Sequence, residues 1–471
     1  MIVHAKAGWR RFAAICRQMP PPWREGALAQ WGEALTALYI LFTLLPFLLI
    51  CLPHGYLSVT ACKYHMFTAA VLLYAGLSLV LVTLAVCKGY PWRRWLASGG
   101  LGRLHGSIPW IAAFLAAAFL SALCSDCPQT VWWGGGRYEG FFTLLSYGIS
   151  FFLIALWARP RRIYVYALAF STAVNSGLAW AQFAGYNPLG LYPAGYSYMD
   201  AHIRYSGEFL GTIGNADLFS AFLVLAIPVL AVYGLRFRGD KLRWPVLATA
   251  AAATAVLLRA RVAAGALALA LCFVVAVPLL YGNSARWRRR WFALAALAAL
   301  CLAAAVFCLG ESWGGFWGEL AQVLHGHIED GFGSSRILIW RKTLALVPEH
   351  WLLGGGPDTL AARLQLYFSR YVPESGVTLR TVVDCAHNEY LNDLVNLGLP
   401  ALLFYLTALA VTARDCLKHY RQPAVAALAL AVFAYSAQAF FCFRLCVTAP
   451  LFWLAWGLLA ACLRRQERRE V

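Results

Sequence analysis

Long apolar runs separated by short basic turns organise this chain. Twelve of them approach the ~20 residues that cross a hydrocarbon core as a helix: 34–52, 67–87, 108–124, 140–158, 163–184, 216–234, 244–258, 262–281, 291–309, 394–413, 423–441 and 447–463. Only Arg259-Ala-Arg261 separates the seventh from the eighth. The longest interval between strongly apolar segments runs from Gly310 to Ala386. Spanning a bilayer requires no such excursion, so this interval and the start of the next helix are expected to hold the functional site.

Local signals divide that interval further. Glu311–Leu324 sets Trp and Phe between glycines, as in an interfacial helix. Ser334 and Ser335 offer N-caps to an amphipathic helix over Arg336–Val347, with Ile337, Trp340, Arg341 and Leu344 at helical spacing. Gly354-Gly-Gly-Pro357-Asp358 breaks the chain, and Asp358 is expected to open another helix through Tyr371. Backbone N–H groups of a glycine triplet can cradle phosphate. This one lacks the lysine of a P-loop, which favours a plain turn. Asp384 is expected to cap the tenth helix, with His387 in its first turn.

The resulting fold class is all-α: a polytopic membrane protein of about 12 transmembrane helices with a large, partly helical extracytoplasmic loop. It divides into a cytoplasmic basic segment 1–33, helices one to nine over 34–309, the loop 310–386, helices ten to twelve over 387–463, and a tail 464–471. The first apolar run begins late and is long enough to span, so no cleavable leader is expected.

Composition agrees. Hydrophobic residues make up 61% of the 471 and charged ones 13%, against roughly 25% charged in soluble domains. The net charge of +18 suggests nucleic acid until its distribution is read. With both termini inside, cytoplasmic segments hold Lys6, Arg10, Arg11, Arg17 and Arg24; Lys88, Arg93, Arg94 and Arg103; Arg159, Arg161 and Arg162; Arg236, Arg238, Lys241 and Arg243; Arg286, Arg288, Arg289 and Arg290; Arg414, Lys418 and Arg421; and Arg464, Arg465, Arg468 and Arg469. Most of the acids fall on the other side. The positive-inside rule is obeyed at every connection. The charge therefore sets orientation and meets anionic lipids, no nucleic-acid partner is expected, and the long loop faces outward. Most of the 14 cysteines lie in apolar runs, where Cys acts as a small hydrophobe.

The outer connections carry the remaining candidates. Cys124-Ser-Asp-Cys127 lacks the second pair of a zinc ribbon and reads as an incidental pair or a local disulfide. Arg137 and Glu139 stand where the fourth helix enters the membrane, to pair with each other or, for Arg137, to meet an anionic head group. Between helices five and six, Tyr186, Tyr192, Tyr196, Tyr198 and Tyr205 suit sugar stacking and an aromatic belt equally. In the same connection Gly211, Gly214 and Asn215 suit a tight re-entry turn. Arg259 and Arg261 lie at membrane depth with almost no loop to solvate them, which marks a site by default, with snorkelling as the alternative. His387 at a helix start would be kept neutral by the helix dipole and so be fit to accept a proton. Asn388, Glu389 and Tyr390 follow it.

Three stretches, LLRARVAAGALAL, SSRILIWRKTLALVPEHWLLGGGPDTL and AHNEYLNDLVNLGLPALLFYL, resemble in combination and order the signature regions of the bacterial O-antigen ligase and polymerase superfamily. The resemblance covers roughly residues 130 to 460. It implies a GT-C-type glycosyltransferase of the bacterial cytoplasmic membrane with an extracytoplasmic active site. Such an enzyme moves a glycan from an undecaprenyl-diphosphate carrier to a hydroxyl on a glycan, lipid or protein acceptor. The family's basic residue after helix seven falls on Arg261, its loop arginine on Arg336 and its histidine on His387. Where relatives often have Ser-Arg-Gly this chain has Ala260-Arg261-Val262, which leaves the register between Arg259 and Arg261 open.

The chemistry fits from below. A diphosphate leaving group needs its charge neutralised. The outer loops show no Asp-x-Asp metal motif, while guanidinium forks suit phosphate. Arg261 and Arg336 would clamp the diphosphate without metal or other cofactor, and His387 would deprotonate the acceptor, inverting the anomeric carbon. Arg259, Arg137, Arg341, Asn388, Glu389 and Tyr390 would bind substrate around them. A polymerase differs from a ligase only in its acceptor. The rival class, a lipid-linked glycan transporter or flippase, would be expected to show internal repeats and midplane polar breaks, and neither is evident.

Overall fold

The computed structural model describes residues 27–51, 54–88, 104–198, 208–282, 284–372 and 377–470. The N-terminal basic residues up to Arg24, together with Arg93, Arg94, Arg103, Arg204 and Tyr205, lie outside them. Each of the twelve apolar segments is helical. They are α1 (Ala27–Leu44, extended by the single turn α2, Pro46–Leu49), α3 (Val59–Cys87), α4 (Ile108–Leu123), α5 (Phe141–Trp157), α6 (Arg162–Phe183), α7 (Ala216–Arg236), α8 (Arg243–Arg259), α9 (Ala263–Tyr281) and α10 (Ala285–Trp313), then, after the loop, α15 (Leu399–His419), α16 (Pro423–Gln438) and α17 (Ala449–Glu470). Six helices among the described residues are long and apolar enough to cross a membrane: Leu28–Leu49, α3, α7, α9, α10 and α15. Helices α4, α5 and α16 are apolar but shorter.

The tenth segment departs from its expected course. A break at Gly398 (φ +86) divides it into a short amphipathic helix, α14 (Glu389–Leu397), and α15. A β-carbon at Gly398 would lie 2.3 Å from the Leu352 carbonyl oxygen, so glycine permits both the turn and the close approach. Pro400 then starts the new helix, where its missing N–H costs nothing.

A helix apolar all round belongs in the interior, and α17 is the case here. Trp453 and Trp456 are buried completely and pack with Tyr147 and Phe151 of α5 and Tyr405 of α15. At its basic end, Arg464 and Arg465 donate to the carbonyls of Leu156 and Ala158, closing the C-terminus of α5. Helix α10 is the opposite: only 6% of its apolar window is buried.

The loop is less helical than expected. It contains α11 (Gly315–Leu324), α12 (Phe332–Leu344), the five-residue α13 (Leu360–Leu364) and an antiparallel hairpin. In the hairpin, β3 (Tyr367–Val372) pairs with β4 (Val377–Val382), Tyr367 opposite Val382. The helix expected from Asp358 through Tyr371 therefore stops at Gln365, which adopts a left-handed φ of +47. YFSRYV and VTLRTV are rich in β-branched and aromatic side chains, which favours strands. A smaller pair, β1 (Phe209–Leu210) with β2 (Gly214–Asn215), forms the turn before α7. The tight turn expected over Gly211–Asn215 is present, and Asn215 also caps that helix by accepting from the Asp217 and Leu218 N–H groups.

The glycine triplet is a packing turn. Gly354 N–H donates to the His350 carbonyl, Gly355 to Val395 and Gly356 to Asn396. All three N–H groups are used internally, so none is free to cradle phosphate. Ser125 donates to the Gly355 carbonyl and Arg363 to the Val395 carbonyl and the Asn396 side chain. The loop is thereby stitched to α14.

Candidate active site

The polypeptide enters α14 through a left-handed residue. His387 has φ +48, and Asn388 then caps the helix by accepting from the Leu391 N–H at 3.0 Å. Asn388, not Asp384, is the N-cap, which leaves His387 just outside the helix rather than in its first turn. Asp384 is free for another role: its carboxylate accepts from Arg137 at 2.6 Å.

His387 stands edge-on to Phe443, ring centroids 5.2 Å apart. The Arg137 guanidinium lies over that same ring, 4.1 Å from its centroid. Arg336 reaches the area from α12, donating to the Asp217 carboxylate at 3.1 Å and to the Gly333 carbonyl at 2.9 Å. Burial, reinforced by the positive charges of Arg137 and Arg336, holds the imidazole down at about 4 against the pull of Asp384. The ring is therefore neutral at pH 7. Desolvation comes first among the causes, with the two arginines behind it. Nδ1 of His387 is buried with no hydrogen-bond partner among the described residues.

Backbone strain gathers at the same places. Among the described non-glycine residues, only Tyr138, Arg261, Ser334, Ser335, Asp358, Gln365 and His387 have positive φ. Arg261 and His387 are themselves among them, and Ser334 and Ser335 lead directly into Arg336. Left-handed non-glycine residues cluster at functional sites because the surrounding fold must enforce them. Ser334 and Ser335 are thus a left-handed turn ahead of Arg336 and not the N-caps expected.

Other candidates lie elsewhere. Arg341 is exposed and paired with Asp330. Arg259 lies over the Phe183 ring at 5.2 Å. Arg261 is exposed, and its charge, like that of Arg259, acts on Tyr198. Tyr390 turns inward and donates to the Ser436 carbonyl at 2.6 Å. Tyr192 is buried against Tyr56 and donates to the Phe209 carbonyl, leaving Tyr186 as an exposed ring of that connection. Cys124 and Cys127 are free thiols.

Glu389 is buried beside Arg444, not turned toward His387. Arg444 faces three carboxylates at once, bonding to Asp393 and to Glu389 at 3.2 Å and lying 3.5 Å from Glu139. Tyr147 donates to Glu139 at 2.7 Å. Glu139 therefore answers Arg444 and does not pair with Arg137. Burial pushes Glu139 up to about 7 against the lowering charge of Arg444. Asp358 accepts from the Gly135 N–H at 2.7 Å and lines the same region, fixing the loop that carries Arg137. Arg444 had a sequence signal, a lone arginine within an apolar stretch. Asp217, the partner of Arg336, had none beyond its place at a helix start.

Among the described residues, no group of three or more His, Cys, Asp or Glu side chains could hold a metal ion. No curated protein matches the chain. Residues 246–406, a third of the chain that includes Arg259, Arg261, Arg336 and His387, match the family model described as O-antigen ligase, which supports a place in the O-antigen ligase-like superfamily.

Proposed function

We propose that this membrane protein transfers a glycan from an undecaprenyl-diphosphate carrier to an acceptor hydroxyl at the outer face of the bacterial cytoplasmic membrane. The observation that carries the reading is His387: an imidazole kept neutral by burial and flanked by Arg137 and Arg336. A neutral base beside two guanidinium groups suits a reaction that takes a proton from one partner and places negative charge on the other. Since Nδ1 is buried, the base is Nε2. It removes the acceptor proton as the oxygen attacks the anomeric carbon and the diphosphate departs from the opposite face, with inversion. Arg336 and Arg137 each keep N–H groups beyond those given to Asp217, Gly333 and Asp384, and these meet the diphosphate. Arg261, exposed at the α8–α9 turn, supplies a third guanidinium.

The clamp has a direct test. Transfer is expected to persist in EDTA, and Arg336→Ala is expected to lower it more than Arg336→Lys, because lysine keeps the charge and loses the fork. Loss of transfer in EDTA, restored by Mg²⁺ or Mn²⁺, would show that a metal carries the charge instead.

The orientation is tested separately. In a cysteine-depleted background, single cysteines placed within 320–372 should react with an impermeant maleimide on intact spheroplasts, and those within 236–243 should not. Labelling of the second set would put the site on the wrong side of the membrane for this reaction.

A further inference from the structure

We infer that the protein holds one acyl chain of an anionic phospholipid from the cytoplasmic leaflet, in a groove separate from the proposed transfer site. A cavity of about 360 Å³ lies between α6, α7, α16 and α17, within the usual range of small-ligand sites, roughly 300–1,000 Å³. Its walls are almost entirely aliphatic and aromatic, among them Leu168, Val229, Ala427 and Leu454, and Arg161 and Arg162 stand at one end.

Its length and position argue for a lipid tail. The lining follows α7 from Phe237 to Phe222, a rise of roughly 22 Å at about 1.5 Å per residue. One leaflet of hydrocarbon is about 15 Å deep, so a chain entering at the Phe237 end can be accommodated along its whole length. That end is where the 158–162, 237–242 and 420–422 connections gather, since Pro160, Phe237 and Pro423 all line the cavity. These connections and their flanks carry Arg159, Arg161, Arg162, Arg236, Arg238, Lys241, Arg243 and Arg421, the excess that marks the cytoplasmic face.

The charge at the mouth selects the head group. Arg159 and Arg161 share a single carboxylate, Glu33, each at 2.7 Å. Asp240, the other acid nearby, accepts from the hydroxyls of Tyr166 and Tyr233 and faces the charge of Arg162. Arg162 lies over the Phe237 ring. Three guanidinium groups thus face two carboxylates, and a phosphate with net negative charge completes the balance, as expected for a leaflet rich in anionic lipid.

Native mass spectrometry of the purified full chain, titrated with phosphatidylglycerol and with phosphatidylethanolamine, tests this. The wild type should retain one phosphatidylglycerol in preference to phosphatidylethanolamine. The pair Arg161→Gln with Arg162→Gln should weaken phosphatidylglycerol about 25-fold, each basic group at a membrane surface contributing on the order of fivefold, and should leave phosphatidylethanolamine unchanged. Ala427→Trp, which fills the groove, should remove retention of both while the thermal melt stays cooperative. Equal retention of the two lipids by the wild type, an unaltered profile in the arginine pair, or a polyprenyl phosphate recovered in their place would each overturn the inference. The arginine pair alters exposed side chains, so it decides the matter even if Ala427→Trp fails to fold.

Discussion

His387→Gly is expected to lower glycan transfer by about 10²–10⁴-fold, the usual contribution of a general base, in a protein that folds at least as well as the wild type. Glycine is the informative substitution because His387 sits at φ +48. Glycine adopts that conformation without cost, whereas alanine there bears a strain of roughly 1–2 kcal/mol. A loss of activity in His387→Ala alone would be open to a folding explanation; loss in both variants, with donor binding retained, is not. His387→Gln should not restore transfer. If His387→Gly turns over within a few-fold of wild type, the base lies elsewhere and Asp384 becomes the candidate. If donor binding falls together with turnover, His387 is a donor ligand.

The pH dependence follows from the same surroundings. With the imidazole held at about 4 instead of 6.5, kcat/KM for the free enzyme should pass through the ordinary histidine range unchanged and fall only near 4. The contribution to stability has a definite sign: the unfolded chain takes up this proton more readily, so the neutral ring's stabilising share is complete above 6.5 and declines as pH falls toward 4. Replacing Arg137 or Arg336 by glutamine removes a repelling charge and should move the kinetic inflection upward. An inflection that stays put in both variants would mean that burial alone sets it.

The second large effect is structural. Arg444→Ala is expected to destabilise the protein by about 3–5 kcal/mol or more, the range for stripping one partner from a buried ion pair, because Glu139, Glu389 and Asp393 are left facing one another. Arg444→Lys should recover part of this, since an ammonium reaches fewer oxygens. The deficit of Arg444→Ala should shrink in acid. Without the arginine the carboxylates bind protons more tightly in the folded state than in the unfolded, so the penalty grows as pH rises and is relieved as it falls. Thermal melts in detergent across pH measure both effects. A melt like that of the wild type would mean that water, not Arg444, satisfies the three acids.

What the sequence made legible was what depends on composition over a long window. The apolar runs gave twelve helices and their order, and the glycine triplet was read correctly as a turn from its missing lysine. Shorter signals were weaker. Asp384 and Asn388 both have capping side chains, and only the Arg137–Asp384 pair, between residues 247 apart in the chain, decides which one caps. The β-branched and aromatic content of Tyr367–Val372 and Val377–Val382 was present but obscured by the helical surroundings. Arg444 with Glu139 and Arg336 with Asp217 are long-range partners that spacing cannot pair. His387 and Arg261 were legible from their positions, Arg336 came from the resemblance, and the left-handed backbone of His387 and Arg261 came from the structure.

The contrast between α10 and α17 bears on how freely this protein can vary. The side chains of α10 mostly face outward, where a bilayer would ask only that they be apolar. Leucine, phenylalanine, valine or alanine then serve almost interchangeably, and drift there is nearly silent. Along the buried part of α17 each side chain fits a particular gap among aromatic neighbours, and exchange of one apolar residue for another leaves a void or an overlap. Two helices of similar greasiness therefore carry very different amounts of information. Apolar exchanges should be tolerated along α10 far more often than along α17, even though neither helix touches the proposed chemistry.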